Sequence, residues 1–277
     1  MNASSALPVS VVLVTYNSAD VIGAALASLG DAVEVVVVDN ASRDDTVEIA
    51  REAGVAVVAC DDNKGFGTAC NIGAAATTRP FLFFFNPDAT VRPDTIARLC
   101  EAMQRHPEWV AVNPRILNGD GKQFFRQASR LEPELAKRKA PLPQSDREIE
   151  MVSGAALLVR RSAFDAIGGF DERIFLYCED DDLALRLRND GGRLGYVHDA
   201  VVEHIGGGSS PSSLSMERFK AYHLMRSTRY ALAKHGVRHG RAGRTALCLW
   251  RYAIATITFN ARERARYRGY LEALFES

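Results

Sequence analysis

No stretch of this 277-residue chain is apolar for long enough to cross a bilayer. The longest runs, Val33–Val38 (interrupted by Glu34) and Phe81–Phe85, are strand-sized, far below the ~20 residues a spanning helix needs. Met1–Pro8 has neither a basic start nor an apolar stretch, so no signal peptide is expected. Cysteine is scarce: Cys60, Cys70, Cys100, Cys178 and Cys248 are scattered, odd in number and never spaced C-x-x-C. That excludes a disulfide frame or zinc knuckle and predicts reduced cytoplasmic thiols. Net charge is absent as well, with 34 Lys+Arg against 34 Asp+Glu. Together with 47% apolar side chains, this excludes disorder as the dominant state. There is enough apolar material for one sizeable α/β domain or two small ones.

The neutral total hides an asymmetry. Residues 215–277 hold 13 Lys+Arg and 4 Asp+Glu, leaving the preceding residues with 21 and 30. An acidic body joined to a basic tail suggests two jobs. Nucleic acid, anionic lipid headgroups or the body's own acidic face are the tail's candidate partners, and composition does not choose among them.

Along the chain, Val9–Val14 reads as a strand ending in Thr15-Tyr16-Asn17. Val21, Ile22, Ala25, Leu26 and Leu29 then repeat at helical spacing up to Gly30. Val33–Val38 is a second strand, stopped by Asp39-Asn40; Asp44-Asp45 open a helix that Gly54 closes. Val55–Ala59 is a third strand, Asn63-Lys64-Gly65-Phe66-Gly67 leads into a short helix, and Phe81–Phe85 is a fourth, buried strand. Such alternation predicts an α/β fold with a mostly parallel sheet and helices on both faces. Residues 117–149 read as a long loop or lid, and Val152–Val159 as a strand. Ser162 with Asp165 reads as a capping box, Asp180–Asn189 as a helix, and Leu194–Val197 and Val201–Val202 as short strands. Gly206–Ser215 is a Gly/Ser-rich hinge before basic amphipathic helices at 216–236 and 244–275.

In open parallel sheets, ligands gather at the carboxyl ends of strands. Here those ends carry Thr15-Tyr16-Asn17, Asp39-Asn40 and Asn86-Pro87-Asp88, with Asn63-Lys64-Gly65 following the third strand. A solvated loop explains any one of them; four on one rim suit a nucleotide. A dinucleotide fold is argued against by its first turn, because Thr15–Asp20 contains no glycine where G-x-G-x-x-G is required. Asp88, after a buried strand and a Pro turn, is the metal candidate of the first half, although turn aspartates are common. Glu179-Asp180-Asp181-Asp182 places four carboxylates at a helix start. Helix capping needs one or two of them, and adjacent like charges are costly unless a cation or a base role offsets them. His204 lies beside a glycine run.

The segments Val9–Asn17, Val36–Ser42, Asn63–Gly67, Phe85–Asp88, Gly168–Glu172 and Tyr177–Leu183 resemble, in that order, inverting family-2 glycosyltransferases of the GT-A fold. Tyr177–Leu183 with Arg186 and His204 is most similar to the rhamnosyltransferase-like branch. The resemblance implies a GT-A domain over residues 1–210, with 211–277 as a basic helical C-terminal extension. It implies that Thr15, Tyr16, Asn17, Asp39, Asn40, Asn63, Lys64, Gly65, Asn86 and Pro87 hold a nucleotide sugar. Asp88 and His204 would serve a Mg2+ or Mn2+ ion, and Asp180 would be the general base, with Glu179 and Asp181 beside it near the acceptor. Asn86 departs from the family pattern, standing where D-x-D has its first acid.

The chemistry agrees independently: inverting transfer needs one carboxylate base and a cation on the leaving diphosphate, whereas hydrolases need a carboxyl pair flanking the bond. The expected donor is dTDP-rhamnose and the acceptor a cell-surface polysaccharide or lipid-linked saccharide, with nucleic acid excluded as a partner. Another hexose or aminosugar from UDP, or a non-catalytic nucleotide-sugar or glycan binder, are the alternatives. The basic tail would meet the anionic inner leaflet as a peripheral membrane contact, or pack on the domain or on a second subunit as a homodimer.

Overall fold

The computed structural model describes residues 6–137, 141–204, 213–238 and 240–276. The chain begins with β1 (Val9–Thr15), α1 (Ala19–Leu29), β2 (Glu34–Asp39), α2 (Thr46–Glu52), β3 (Ala56–Ala59), α3 (Phe66–Ala75) and β4 (Phe81–Phe85). It continues through β5 (Ala89–Val91), α4 (Thr95–Arg105), β6 (Trp109–Asn118), β7 (Gln123–Phe124), β8 (Arg147–Ile149), β9 (Ala156–Arg160) and α5 (Arg161–Ala166). Last come α6 (Glu179–Asn189), β10 (Arg193–His204), α7 (Leu214–Lys234), α8 (Arg241–Ile257) and α9 (Ala261–Phe275).

One sheet runs in the order β3-β2-β1-β4-β9-β6-β10-β5. The first four strands are parallel, as are β6 and β10, while β9 and β5 are antiparallel insertions. All of β1 and β4 is buried, as strands covered on both faces must be. Val9, Val11, Leu13, Phe83 and Phe85 face α1, α2 and α4. Val12, Val14, Leu82 and Phe84 face α3, α5 and α6. The mostly parallel sheet with helices on both faces expected from the sequence is therefore present.

Four readings need correction. α5 starts at Arg161 with Arg160 as its cap residue and no side-chain cap, so Ser162 and Asp165 lie inside the helix and form no capping box. The span 244–275 is two helices: Phe259, at φ 55°, breaks it, and the Asn260 side chain caps α9 by accepting from the Glu263 N–H at 3.0 Å. Leu194–Val202 belongs to one strand, β10, whose pairing with β6 jumps from Val197↔Pro114 to Val201↔Arg115 across a bulge. The segment 117–149 is not wholly irregular, because β7 and β8 add to the sheet. The predicted hinge falls largely on residues 205–212, outside the described residues, as does the 210/211 boundary; Leu214 and Ser215 are already helical.

α7 is joined to the α/β body through Ala231 and Leu232, which pack with Leu131, Ile174 and Cys178. A buried charge cluster reinforces the joint. Asp182 of α6 accepts from Arg186 Nε, Lys234 Nζ and His235 Nε2, each at 2.7 Å. Burial alone would raise the Asp182 pKa, but hydrogen bonds from Lys234 and His235 and the Arg186 charge reverse that and lower it.

Candidate active site

β1, β2, β4 and β10 deliver their carboxyl ends to one rim, and β9 begins there. The rim surrounds a cleft of about 420 Å3. Of the residues expected at the site, Thr15, Tyr16, Asn40, Asn63, Gly65, Asn86, Pro87, Asp88, Glu179, Asp180 and His204 line it. Asn17, Asp39, Lys64 and Asp181 are not in its lining.

The nucleotide-side loops are tied together by amides. Asn40 Nδ2 donates to Gly65 O and its Oδ1 accepts from the Lys64 N–H, both at 3.2 Å. Asn63 Oδ1 accepts from the Gly65 N–H at 3.0 Å. Asp39 is buried behind this layer, accepting from Thr15 Oγ1 (3.0 Å), Ser42 Oγ (2.5 Å) and the Ser42 N–H (2.8 Å). Asn17 accepts from the Arg43 N–H at 2.8 Å, and Lys64 pairs with Asp62 at the surface. Gly65 has φ 85°, and a Cβ there would stand 2.3 Å from Phe175 O. Only glycine lets this loop lie against 175–177, where Phe66 N–H donates to Phe175 O at 3.0 Å. Tyr177 and Cys178 then take two successive left-handed conformations, φ 66° and 67°, before α6 starts. Such strain is characteristic of functional turns.

Asp88 is buried, and its Oδ1 lies 3.0 Å from His204 Nε2; Asn86 Nδ2 lies 3.3 Å from the same nitrogen. The pairing of β5 with β10, His204 opposite Ala89, creates this approach across more than a hundred residues of sequence. A buried carboxylate and an imidazole brought together in this way are donors that suit a hard divalent ion, and both would hold it. Among the described residues no cluster of three or more His, Cys, Asp or Glu could hold a metal, so diphosphate oxygens and water would complete the shell.

The acidic cluster has a partner that sequence reasoning missed. Arg126, from the segment between β7 and β8, spans Asp180 Oδ2 and Asp181 Oδ2 with its two terminal nitrogens. Asp180 Oδ1 also accepts from the Asp181 N–H at 2.9 Å. Asp181 is fully buried and accepts from the Arg130 N–H at 2.9 Å. Glu179 differs: its Oε2 is buried without a hydrogen-bond partner among the described residues, and burial, then the Asp180 charge, push its pKa up to about 8. The cleft thus holds one arginine-braced carboxylate, Asp180, and one acid, Glu179, that is mostly neutral at pH 7. Nothing local around Arg126 marks it in the sequence. Phe175, the Ser153–Ala155 turn and the α7 residues Met216, Phe219 and Lys220, which also line the cleft, were likewise missed.

Comparison with known proteins bears on this geometry. The family model "Glycosyl transferase family 2" matches residues 10–168, more than half of the chain. An N-acetylglucosaminyl-diphospho-decaprenol L-rhamnosyltransferase of Mycobacterium tuberculosis is 35% identical over 231 residues, covering 70% of this chain and 75% of that protein. Rhamnosyltransferase WbbL of Escherichia coli K12 is 28% identical over 190 residues, 61% of this chain and 71% of its own. Among solved structures, the mannosyltransferase PcManGT from Pyrobaculum calidifontis, in complex with GDP-Man and Mn2+, aligns with a TM-score of 0.60. It covers 98% of this chain and 88% of that one at 18% identity, a likeness that speaks to the fold. The chain belongs to glycosyl transferase family 2 and is a glycosyltransferase of the GT-A fold.

Proposed function

We propose that this glycosyltransferase moves rhamnose from dTDP-rhamnose to a hydroxyl of a lipid-linked saccharide, with inversion and with Mg2+ or Mn2+ on the donor diphosphate. The observation that carries the reading is one cleft holding both the Asp88–His204 pair and a separate carboxylate, Asp180. The 35%-identical relative, named as an L-rhamnosyltransferase acting on N-acetylglucosaminyl-diphospho-decaprenol, supports the sugar and the acceptor class.

In this reading the nucleoside lies along Thr15, Tyr16, Asn17, Asp39, Asn40, Asn63, Lys64, Gly65, Asn86 and Pro87. Some of these residues touch the donor and others, such as Asp39, brace those that do. Asp88 and His204 hold the cation, which when bound offsets the charge building on the leaving diphosphate. Asp180 takes the proton of the acceptor hydroxyl while its oxygen attacks the anomeric carbon. The bond from that carbon to the diphosphate breaks, and its electron pair leaves with the nucleotide. Glu179 and Asp181 flank the base near the acceptor. Residues 1–210 form the catalytic unit and 211–277 the helical extension, which closes one side of the cleft and lies toward the inner face of the cell membrane.

The test is incubation with dTDP-rhamnose, a divalent cation and a lipid-linked N-acetylglucosamine acceptor. Release of dTDP matched by a rhamnosylated product of inverted configuration is the expected result. dTDP release only with water as acceptor, or turnover of UDP sugars alone, would refute it.

A further inference from the structure

α8 is an inside-out helix. Of its seventeen residues only Cys248 and Ala255 are buried, whereas Leu247, Trp250, Ile254 and Ile257 form an exposed stripe. Trp250 is 55% and Ile257 76% exposed, and Phe259, just beyond the helix, is 88% exposed. Phe259 sits there on a left-handed backbone of φ 55°. Burying an apolar side chain of this size is worth about 1.5–3 kcal/mol, so a contiguous stripe left in water calls for an occupant.

Charge selects which one. Much of the basic tail is neutralised internally: Arg218 and Arg268 pair with Glu272, Arg262 and Arg266 with Glu217, and Lys234 with Asp171 and Asp182. Arg244 and Arg251 are among the basic residues not neutralised in this way. They lie along one edge of the stripe and have no carboxylate partner among the described residues; Arg251 instead covers the Trp250 ring, 5.2 Å from its centroid. Helical geometry puts both within about 60° of Leu247 around the axis. An apolar stripe edged by unpaired arginines complements a surface that is anionic at its boundary and apolar beneath, as an acidic lipid leaflet is.

Position agrees. Arg262 and Arg266, in the first turns of α9 just after Phe259, bind Glu217 at 2.9 and 2.7 Å, and Glu217 adjoins Met216, a wall residue of the cleft. The apolar tip at Ile257 and Phe259 is thereby anchored beside the cleft mouth. We infer that the Leu247–Ile257 face of α8, with Phe259 just beyond it, inserts into the interfacial region of an anionic bilayer and sets the cleft against it. The inference rests on the membrane-borne acceptor of the proposed function.

The experiment uses the full chain with vesicles of phosphatidylglycerol and phosphatidylcholine, or phosphatidylcholine alone, read by co-sedimentation and tryptophan emission. Trp109 is buried and supplies a constant background, so a blue shift on vesicle addition reports Trp250. Partitioning should be strong on anionic vesicles at low salt and decline as salt rises. I257E/F259E should reduce it at least tenfold. R244Q/R251Q should reduce it about thirty-fold on anionic vesicles, at about 1 kcal/mol per cation, and little on neutral ones. Both variants should keep the unfolding midpoint and the rate of transfer to a short-chain acceptor in solution. If the unaltered protein binds vesicles but shows no transfer, the functional proposal fails while the docking surface stands. No partitioning at low salt, or full partitioning of I257E/F259E, overturns the docking surface. So does a blue shift without vesicles accompanied by a dimer that I257E/F259E dissolves, which would assign the face to a second copy.

Discussion

Asp180→Asn removes the proposed base while preserving most of its surroundings. The carboxylate binds Arg126 through Oδ2 and the Asp181 N–H through Oδ1. An asparagine can satisfy one of these with its oxygen, but its NH2 must face the other donor, which costs about 1–3 kcal/mol of local stability. Arg126 keeps Asp181, so the cluster should persist. Losing general-base assistance should lower turnover by about 10²–10⁴, or roughly 3–5 kcal/mol of barrier, with donor affinity nearly unchanged. Glu179→Gln is the discriminating companion. Burial, then the Asp180 charge, raise the Glu179 pKa to about 8, so at pH 7 glutamine removes little charge and turnover should stay within about threefold. Both variants would be assayed at pH 7 by nucleotide diphosphate release, with donor binding followed by calorimetry. Near-normal turnover of Asp180→Asn, with Glu179→Gln or Asp181→Asn inactive, would falsify the assignment and move the base to a neighbour.

Asp88→Ala should abolish metal-dependent donor binding measured by thermal shift, and excess EDTA should stop transfer by the unaltered enzyme; full activity in EDTA would remove the metal from the reaction. Asp182→Asn should cost about 3–5 kcal/mol in urea unfolding at pH 7, since Arg186, Lys234 and His235 would lose their shared counter-ion. Because the folded-state pKa of Asp182 is lowered, its contribution is fully present above about pH 4 and is lost as pH falls through the lower folded value. The gap between variant and parent should therefore narrow at pH 3, and an unchanged gap would count against the charge cluster. Gly65→Ala forces a Cβ onto Phe175 O, so donor affinity should fall at least tenfold; wild-type affinity would mean that this loop does not shape the nucleotide pocket.

The parallel half of the sheet was legible because its central strands, β1 and β4, are buried on both faces and so read as runs that are apolar throughout, as in Phe81–Phe85, or broken only by Ser10, as in Val9–Val14. The rim was legible for a related reason: polar residues directly after buried strands have nowhere to go but the carboxyl edge. Legibility failed where tertiary pairing overrides local pattern. His198-Asp199-Ala200 interrupts the apolar alternation of β10, so one bulged strand read as two. Ser162 has the composition of a cap, but Arg160 holds the cap position in space. Arg126 sits in a segment without periodicity, and only the fold brings its guanidinium to α6. The sequence likewise placed Asp39 on the rim without revealing that Thr15 and Ser42 occupy its oxygens.

The bulge in β10 carries a consequence for the chemistry. Side chains along a strand alternate faces, so a displacement of one residue turns every following side chain to the opposite side. His204 meets Asp88 because the extra residues between Val197 and Val201 set the phase of the last turnless stretch of β10 against β5 and β6. Deleting a single residue from that bulge would move His204 one place along the strand and turn its side chain to the opposite face, away from Asp88. The spacing of the proposed ligand pair is thus encoded as a count of residues along a strand, and an insertion or deletion there should separate His204 from Asp88 without touching either residue.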